Sequence, residues 1–341
     1  MSWFERLTGF QETGYQQTRD RLHVHEGRLH SPINGRSYGI GMLELVSLEE
    51  LRRRATDMNG GPRLSISFVQ DDVRRLHRQH ENAGALFQVA SQFNLLEMVS
   101  HEVSPEDGVA RYEYDPTQGP ACAIAAGAAT VFRNYFAPVG NDFGQTRQRQ
   151  LDGLADLGTR LAALTGRPVR DLWDMRNGYA LCASEGLSAI ETVVSALNDA
   201  GVDGLRGLLR VGVHAAVEVT DAPERPGQCV TQVFCSALPV SYQRKVPKAL
   251  WSPLARLVLE AAYEAALLAA MENRARGGSP RVYLTRLGGG AFGNDDRWIN
   301  DAILRALELA RTWPLDVRIV ARDIRATDSL PSQLRERGLA T

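Results

Sequence analysis

Residues 281–308, RVYLTRLGGGAFGNDDRWINDAILRALE, decide how this chain is read. A β-leaning run at 281–287 ends in three consecutive glycines. Asn294, Asp295 and Asp296 follow, and apolar residues then recur at helical spacing: Trp298, Ile299, Ala302, Ile303, Ala306 and Leu309. The stretch predicts a strand, a tight loop and a helix over 296–312. Gly288, Gly289, Gly290 and Gly293 permit positive φ and close backbone approach. Bare amides beside a helix start suit an anion such as phosphate. Phe292, set between small residues, could cap a sugar or base. The plain alternative is a strand-to-helix turn with no ligand, for which three glycines in a row are a costly choice.

Two common phosphate motifs fit poorly. GxxxxGK[ST] is absent, and the only lysines are Lys245 and Lys248, so a P-loop is excluded. Gly288, Gly290 and Gly293 satisfy GxGxxG formally, which keeps an NAD-dependent oxidoreductase as a rival. That fingerprint belongs at the start of a βαβ unit, however, and here it lies close to the C-terminal end.

Outward from this stretch, strands alternate with helices. LDVRIVAR at 315–322 is a strand, and the helix before it is flanked by two. Strands are also expected at 63–69, 84–91, 208–220 and 228–240, and helices at 119–136, 146–164, 185–200 and 248–275. Ser47-x-x-Glu50 is a capping box, and Asn34-Gly35 a hairpin signal. The pattern implies an α/β fold, a mixed sheet with helices on both faces. Residues 1–60 read as an extension packed on the main domain, 61–330 as that domain, and 331–341 as a loosely held tail.

Composition limits the function classes. The chain has 341 residues, 44% hydrophobic and 23% charged, ordinary for a soluble globular protein. A net charge of −1 gives no overall footprint for nucleic acid or an anionic membrane. Cys122, Cys182, Cys229 and Cys235 form no CxxC pair, which argues against a disulfide framework or a cysteine-rich zinc site. The N-terminal segment is too polar for a signal peptide. The longest apolar run, LWSPLARLVLEAAYEAALLAAM, carries Arg256, Glu260 and Glu264 and reads as a buried helix. No membrane or nucleic-acid partner is expected, and the setting is expected to be reducing and cytoplasmic.

Strand–GGGAFG–helix resembles the second phosphate loop of macrodomains, which wraps the diphosphate and distal ribose of ADP-ribose. SFVQDDV at 67–73 is similar to the macrodomain strand whose aspartate meets adenine, and Asp72 takes that place. ALFQVASQFNLLE at 85–97 resembles the strand that ends in Asn-Ala-Ala-Asn; here Ser91-Gln92-Phe93-Asn94 stands instead, with Asn94 and Gln92 implied at the ribose. QGPACAIAAGAA at 118–129 occupies the place of the first phosphate loop, with Gly119 in place of three glycines. GALFQVASQFNLLEM, CSALPV and GGGAFGND together look like the MavL-like ADP-ribosylhydrolases, a macrodomain branch that removes ADP-ribose from arginine. The likeness covers roughly 60–330. It implies a macrodomain-like fold and Gly288, Gly289, Gly290, Ala291, Phe292, Gly293 and Asn294 around the diphosphate. It also implies an ADP-ribosylated protein as partner, with ubiquitin among the candidates, and no required cofactor.

Hydrolysis of an N-glycosidic bond needs a carboxylate near the anomeric carbon. The acids nearest the loop are Asp295, Asp296 and Asp301; the plain reading of the first two is N-capping, and of Asp301 a surface pair with Arg305. Glu218 and His214 share one side of an apolar strand, Glu218 as a candidate acid and His214 more simply a core histidine. Glu97, just past a strand end, is a candidate ligand contact. His23, His25 and His30 lack a supporting acid or cysteine cluster and read as a solvated strand. The leading expectation is an ADP-ribosylarginine hydrolase with Asp295, Asp296, Asp301 and Glu218 as its acids; the rival within the fold is a macrodomain that binds ADP-ribose without chemistry.

Overall fold

The glycine-loop stretch folds as read: Arg281–Thr285 is a strand and Asp296–Leu309 a helix, joined through the loop. The computed structural model describes residues 1–55, 63–321 and 329–339. Among them, seven strands form one mixed sheet: β1 (Met42–Ser47), β2 (Ser65–Val69), β3 (Leu86–Ala90), β4 (Arg210–Glu218), β5 (Cys229–Cys235), β6 (Arg281–Thr285) and β7 (Asp316–Val320), in the order β1-β4-β5-β3-β6-β7-β2. β5, β3, β6, β7 and β2 run parallel, and β4 runs antiparallel to β5 and β1.

Alternation along the strands serves two cores. On one face Val282, Leu284, Val317, Ile319 and Val233 pack with α3 (Lys248–Ala275) and α4 (Asp296–Leu309). On the other, Phe87, Val89, Val230, Phe234 and Tyr283 meet Cys122 of α1 (Gln118–Ala125), Ala129 of α2 (Gly127–Tyr135) and Ala126 between them. Both faces are covered by helices, as the sequence predicts. The expected buried helix at 248–275 matches α3 end to end. No described helix is long and apolar enough to cross a membrane, and all four cysteines are free thiols.

The single helix expected over 119–136 is two. Ala126 leaves the helical region (φ −113, ψ 57), and the Gly127 N–H donates to Thr220 Oγ1 at 2.8 Å. A side chain at Gly127 would lie 2.8 Å from the Trp3 ring, so the break lets the N-terminal segment approach. That segment carries the hairpin at Arg28–Ser31 and Arg36–Gly39 and joins the main body through side chains. The Trp3 indole N–H donates to the Ala110 carbonyl (3.1 Å), Glu12 accepts from the Ala110 N–H (2.6 Å) and the Tyr135 hydroxyl (2.7 Å). The boundary drawn at 60–61 falls outside the described residues. Residues 330–336, expected to be loosely held, form a helix with Leu330 and Leu334 buried in the main core, because two leucines four apart supply an apolar face.

Candidate functional site

The cleft opens where β3 and β6 part. They pair at Leu86–Val282 and Phe87–Tyr283 and no further. Beyond that point side-chain amides replace the ladder. Gln88 Oε1 accepts from the Thr285 N–H (3.2 Å), and the Gln118 amide brackets β3, accepting from Ala90 N–H and donating to the Gln88 carbonyl, both at 2.8 Å. The start of α1 is thereby held at the carboxyl ends of the parallel strands, the place where α/β sheets bind ligands. A cavity of ≈170 Å³ lies there, bounded by the segments after β3 and β6 and by the first turn of α1.

One wall is the glycine loop. Gly288 and Gly293 have φ of +72° and +70°. Cβ atoms there would lie 2.5 Å from Ala237 Cβ and 1.8 Å from Ser241 Oγ, so both the conformation and the packing call for glycine. The Gly293 N–H bonds the Gly290 carbonyl and the Asn294 N–H the Gly288 carbonyl, each at 3.0 Å, which curls the loop. The N–H groups of Gly288, Gly290, Ala291 and Phe292, all cleft-lining residues, find no acceptor among the described residues. Those of Gln118 and Gly119, in the first turn of α1, are likewise free, and Thr117 gives that turn no side-chain cap. The cleft thus holds two sets of open amides, each a ready anion site.

A second wall is aromatic. Tyr179 lies 5.3 Å from both Tyr242 and Phe292, and Tyr242 meets Phe292 edge-on at 5.8 Å (ring centroids). Tyr179 comes from the hairpin Trp173–Arg176/Tyr179–Cys182, whose turn residues Asn177 and Gly178 both have positive φ. The Asn-Gly pair was the available signal for this hairpin, which the sequence reading passed over. Asp115, Gln118 and Arg286 line the cleft as well and were also missed.

Among the described residues, two carboxyl residues line the cleft, Glu97 and Asp115. Asp115 is half-buried and accepts the Thr117 N–H (2.8 Å). Glu97 is buried; its carboxylate meets one nitrogen of Arg133 at 3.2 and 3.4 Å, and Arg133 Nε donates to the Leu95 carbonyl at 3.0 Å. Arg133 is fully enclosed and stacks over Phe234 (3.9 Å). Burial pushes the Glu97 carboxyl up to about 7, with Arg133 pulling the other way.

Of the residues singled out in the sequence, Gln92, Glu97, Gly119, Gly288, Gly290, Ala291 and Phe292 come together in the cleft lining. Gly289, Gly293 and Asn294 shape the loop from behind. Gln92 has its amide taken by Met98, accepting its N–H (2.8 Å) and donating to its carbonyl (3.2 Å). Asn94 is wholly buried outside the lining, donating to Gln150 (2.8 Å) and accepting from Leu96 N–H (3.1 Å). Asp72 is exposed and caps the helix Val73–Arg78 through the N–H groups of Arg74 and Arg75.

The four acids proposed for catalysis lie outside the lining. Asp295 is the N-cap of α4 and sits 3.4 Å from Lys248. Burial acts to raise its pKa, but the Arg297 N–H and Lys248 outweigh it and hold it low. Asp296 is exposed and pairs with Arg286 (2.5 Å). Asp301 pairs with Arg256 (2.7 Å), not with Arg305, which instead turns to Glu264 (2.6 Å) and Asp203 (3.2 Å). Glu218 lies at the far end of the sheet: it pairs with Cys229 at the amino end of β5, whose carboxyl end faces the cleft. There it accepts the N–H groups of Gly39 (2.6 Å) and Gly227 (3.3 Å). His214 is a core residue, its pKa driven down by burial and then by Arg133.

No family model matches the chain, and no curated protein does. Among solved structures, poly(ADP-ribose) glycohydrolase from Thermomonospora curvata bound to the inhibitor ADP-HPD is similar at 15% identity and TM-score 0.45, covering 90% of this chain and 93% of that one. Poly(ADP-ribose) glycohydrolase from Deinococcus radiodurans in complex with ADP-ribose is similar at 11% identity and TM-score 0.46, covering 86% and 94%. Superposition of that degree decides neither fold nor activity.

Proposed function

We propose that the protein binds ADP-ribose in this cleft and hydrolyses its bond to a protein side chain, arginine in the first instance, as a macrodomain-like ADP-ribosylhydrolase. The observation that carries the reading is the set of four open amides at Gly288, Gly290, Ala291 and Phe292, together with a second set at Gln118 and Gly119 in the lining of the same cavity. A diphosphate presents several acceptor oxygens and fits such paired donors. Phe292, Tyr179 and Tyr242 would flank a sugar or a cationic side chain. Arginine enters through the likeness of the glycine-loop and 84–98 segments to the MavL-like branch.

The test has two parts. Calorimetry compares ADP-ribose, NAD and AMP; ADP-ribose binding in the micromolar range or tighter is expected, and a preference for intact NAD would return the oxidoreductase reading. The protein is then incubated with arginine-ADP-ribosylated protein and free ADP-ribose is followed by chromatography. Binding without release identifies a reader; release from glutamate-linked but not arginine-linked substrate moves the linkage.

A further inference from the structure

Resting on the reading just given, we propose that Glu97 is the catalytic carboxylate of this cleft, taking a proton from the attacking water and delivering it to the departing nitrogen, with Arg133 as its positioning residue. Every acid suggested by sequence proximity to the glycine loop is engaged elsewhere: Asp295 in capping and with Lys248, Asp296 with Arg286, Asp301 with Arg256. Glu97 differs on three counts. It lines the cleft. It is buried, so its charge is little screened by water. It is held from behind, since Arg133 grips both the Leu95 carbonyl and the Glu97 carboxylate. The Arg133 contact employs one nitrogen at 3.2 and 3.4 Å, not a two-nitrogen fork, and even with the Tyr112 hydroxyl beside it the carboxylate's lone pairs are not all filled.

Gly119 joins this carboxylate to the anion site. A Cβ there would lie 2.0 Å from the Ala90 carbonyl oxygen and 3.1 Å from Glu97 Cγ. The first turn of α1, which carries the open amides, therefore packs against the Glu97 stem, and a diphosphate bound at that turn would place the attached ribose near the carboxyl group. In the step, the carbon–nitrogen bond breaks first, its electron pair going to the guanidine nitrogen and leaving an oxocarbenium-like sugar, and water oxygen then bonds to the anomeric carbon from the face the guanidine has left. The water proton passes to Glu97 and from there to that nitrogen, so the products are ADP-ribose and an arginine side chain, and Glu97 ends ionised as it began. A carboxyl group that titrates near neutrality suits this exchange in both directions.

The test uses the full chain with Glu97→Gln, Glu97→Asp, Asp295→Asn and Asp301→Asn. Expected for E97Q are ADP-ribose affinity within about threefold of the parent and release from ADP-ribosylarginine slowed by about 100-fold or more. E97D should recover part of that loss. The parent's kcat/KM should rise with pH through about 7 and level off, and residual E97Q activity should lack that limb. D295N and D301N should retain turnover within about threefold of the parent. Near-parental turnover by E97Q, or its survival where D295N or D301N is inactive, overturns the assignment alone. Loss of ADP-ribose binding in both E97Q and E97D makes the role structural and overturns it too. A parent that binds ADP-ribose and releases none overturns the hydrolase reading itself, and this assignment with it.

Discussion

Asn294 Nδ2 donates to the Leu238 carbonyl at 2.8 Å, fastening the glycine loop to the segment that leaves β5. The same nitrogen reaches the Gly288 carbonyl at 3.3 Å, so one buried amide fixes both ends of the loop. Asn294→Ala leaves a buried carbonyl without its donor, and a loss of about 1–3 kcal/mol is expected. Urea unfolding measures it. ADP-ribose affinity should fall by about tenfold alongside, because the amides lose their common orientation.

Gly288 and Gly290 make a matched pair of opposite outcome. Gly288→Ala places a side chain at φ +72°, 2.5 Å from Ala237 Cβ and 2.6 Å from Asn294 Nδ2. Neither the methyl nor the tethered amide can swing away, and destabilisation of about 1–3 kcal/mol with lost ADP-ribose binding is expected. At Gly290 an added Cβ meets nothing within 4 Å. G290A should melt within a degree or two of the parent; equal damage from both would mean that loop crowding is not the cause.

Phe292→Leu keeps an apolar side chain but removes one ring from the wall with Tyr179 and Tyr242. Aromatic pairing of this kind contributes about 0.5–1.5 kcal/mol. ADP-ribose binding should weaken by about threefold to tenfold in calorimetry, with thermal stability little changed because Phe292 is half-buried.

Stability against pH carries two opposed contributions. Burial lowers the His77 pKa to about 4, so its share of stability is complete above 6.5 and is lost as pH falls toward about 4, on the order of 3 kcal/mol in all. Glu97, raised to about 7, acts in the other sense: stability falls as pH rises from about 4.5 to 7. The two overlap between pH 4.5 and 6.5 and partly cancel. Urea midpoints at pH 5, 6 and 7 should therefore drop more steeply toward acid in E97Q than in the parent, and less steeply in His77→Gln. Parallel profiles for all three would refute both assignments.

Local backbone signals were legible in the sequence. The Ser47 cap, which accepts the Glu50 N–H at 3.2 Å, the Asn34-Gly35 turn and the glycine loop each act over a few residues, and each formed where read. The break at Ala126 was not legible, because it answers to Trp3 and Thr220, distant in the chain. Membership of the cleft was legible only in part. Nearness to Asn294 along the chain pointed to Asp295, Asp296 and Asp301, yet a helix turns successive side chains away from one another; Lys248 and the cap hold Asp295, while Arg286 and Arg256 on neighbouring elements draw off Asp296 and Asp301. Glu97 stood out as a residue past a strand end, but its setting depends on Arg133, 36 residues away, inside a helix that otherwise reads as apolar packing.

The Glu97 N–H donates to the Tyr112 hydroxyl at 3.0 Å. Tyr112 sits in the short turn Ala110–Tyr114, whose Ala110 is clasped by Trp3 and Glu12. The opening dozen residues thus act as a buttress on the outer side of the wall that carries the carboxyl group. Clipping them off would slacken that wall from behind, lowering turnover more than ligand affinity while the glycine loop stayed as it is.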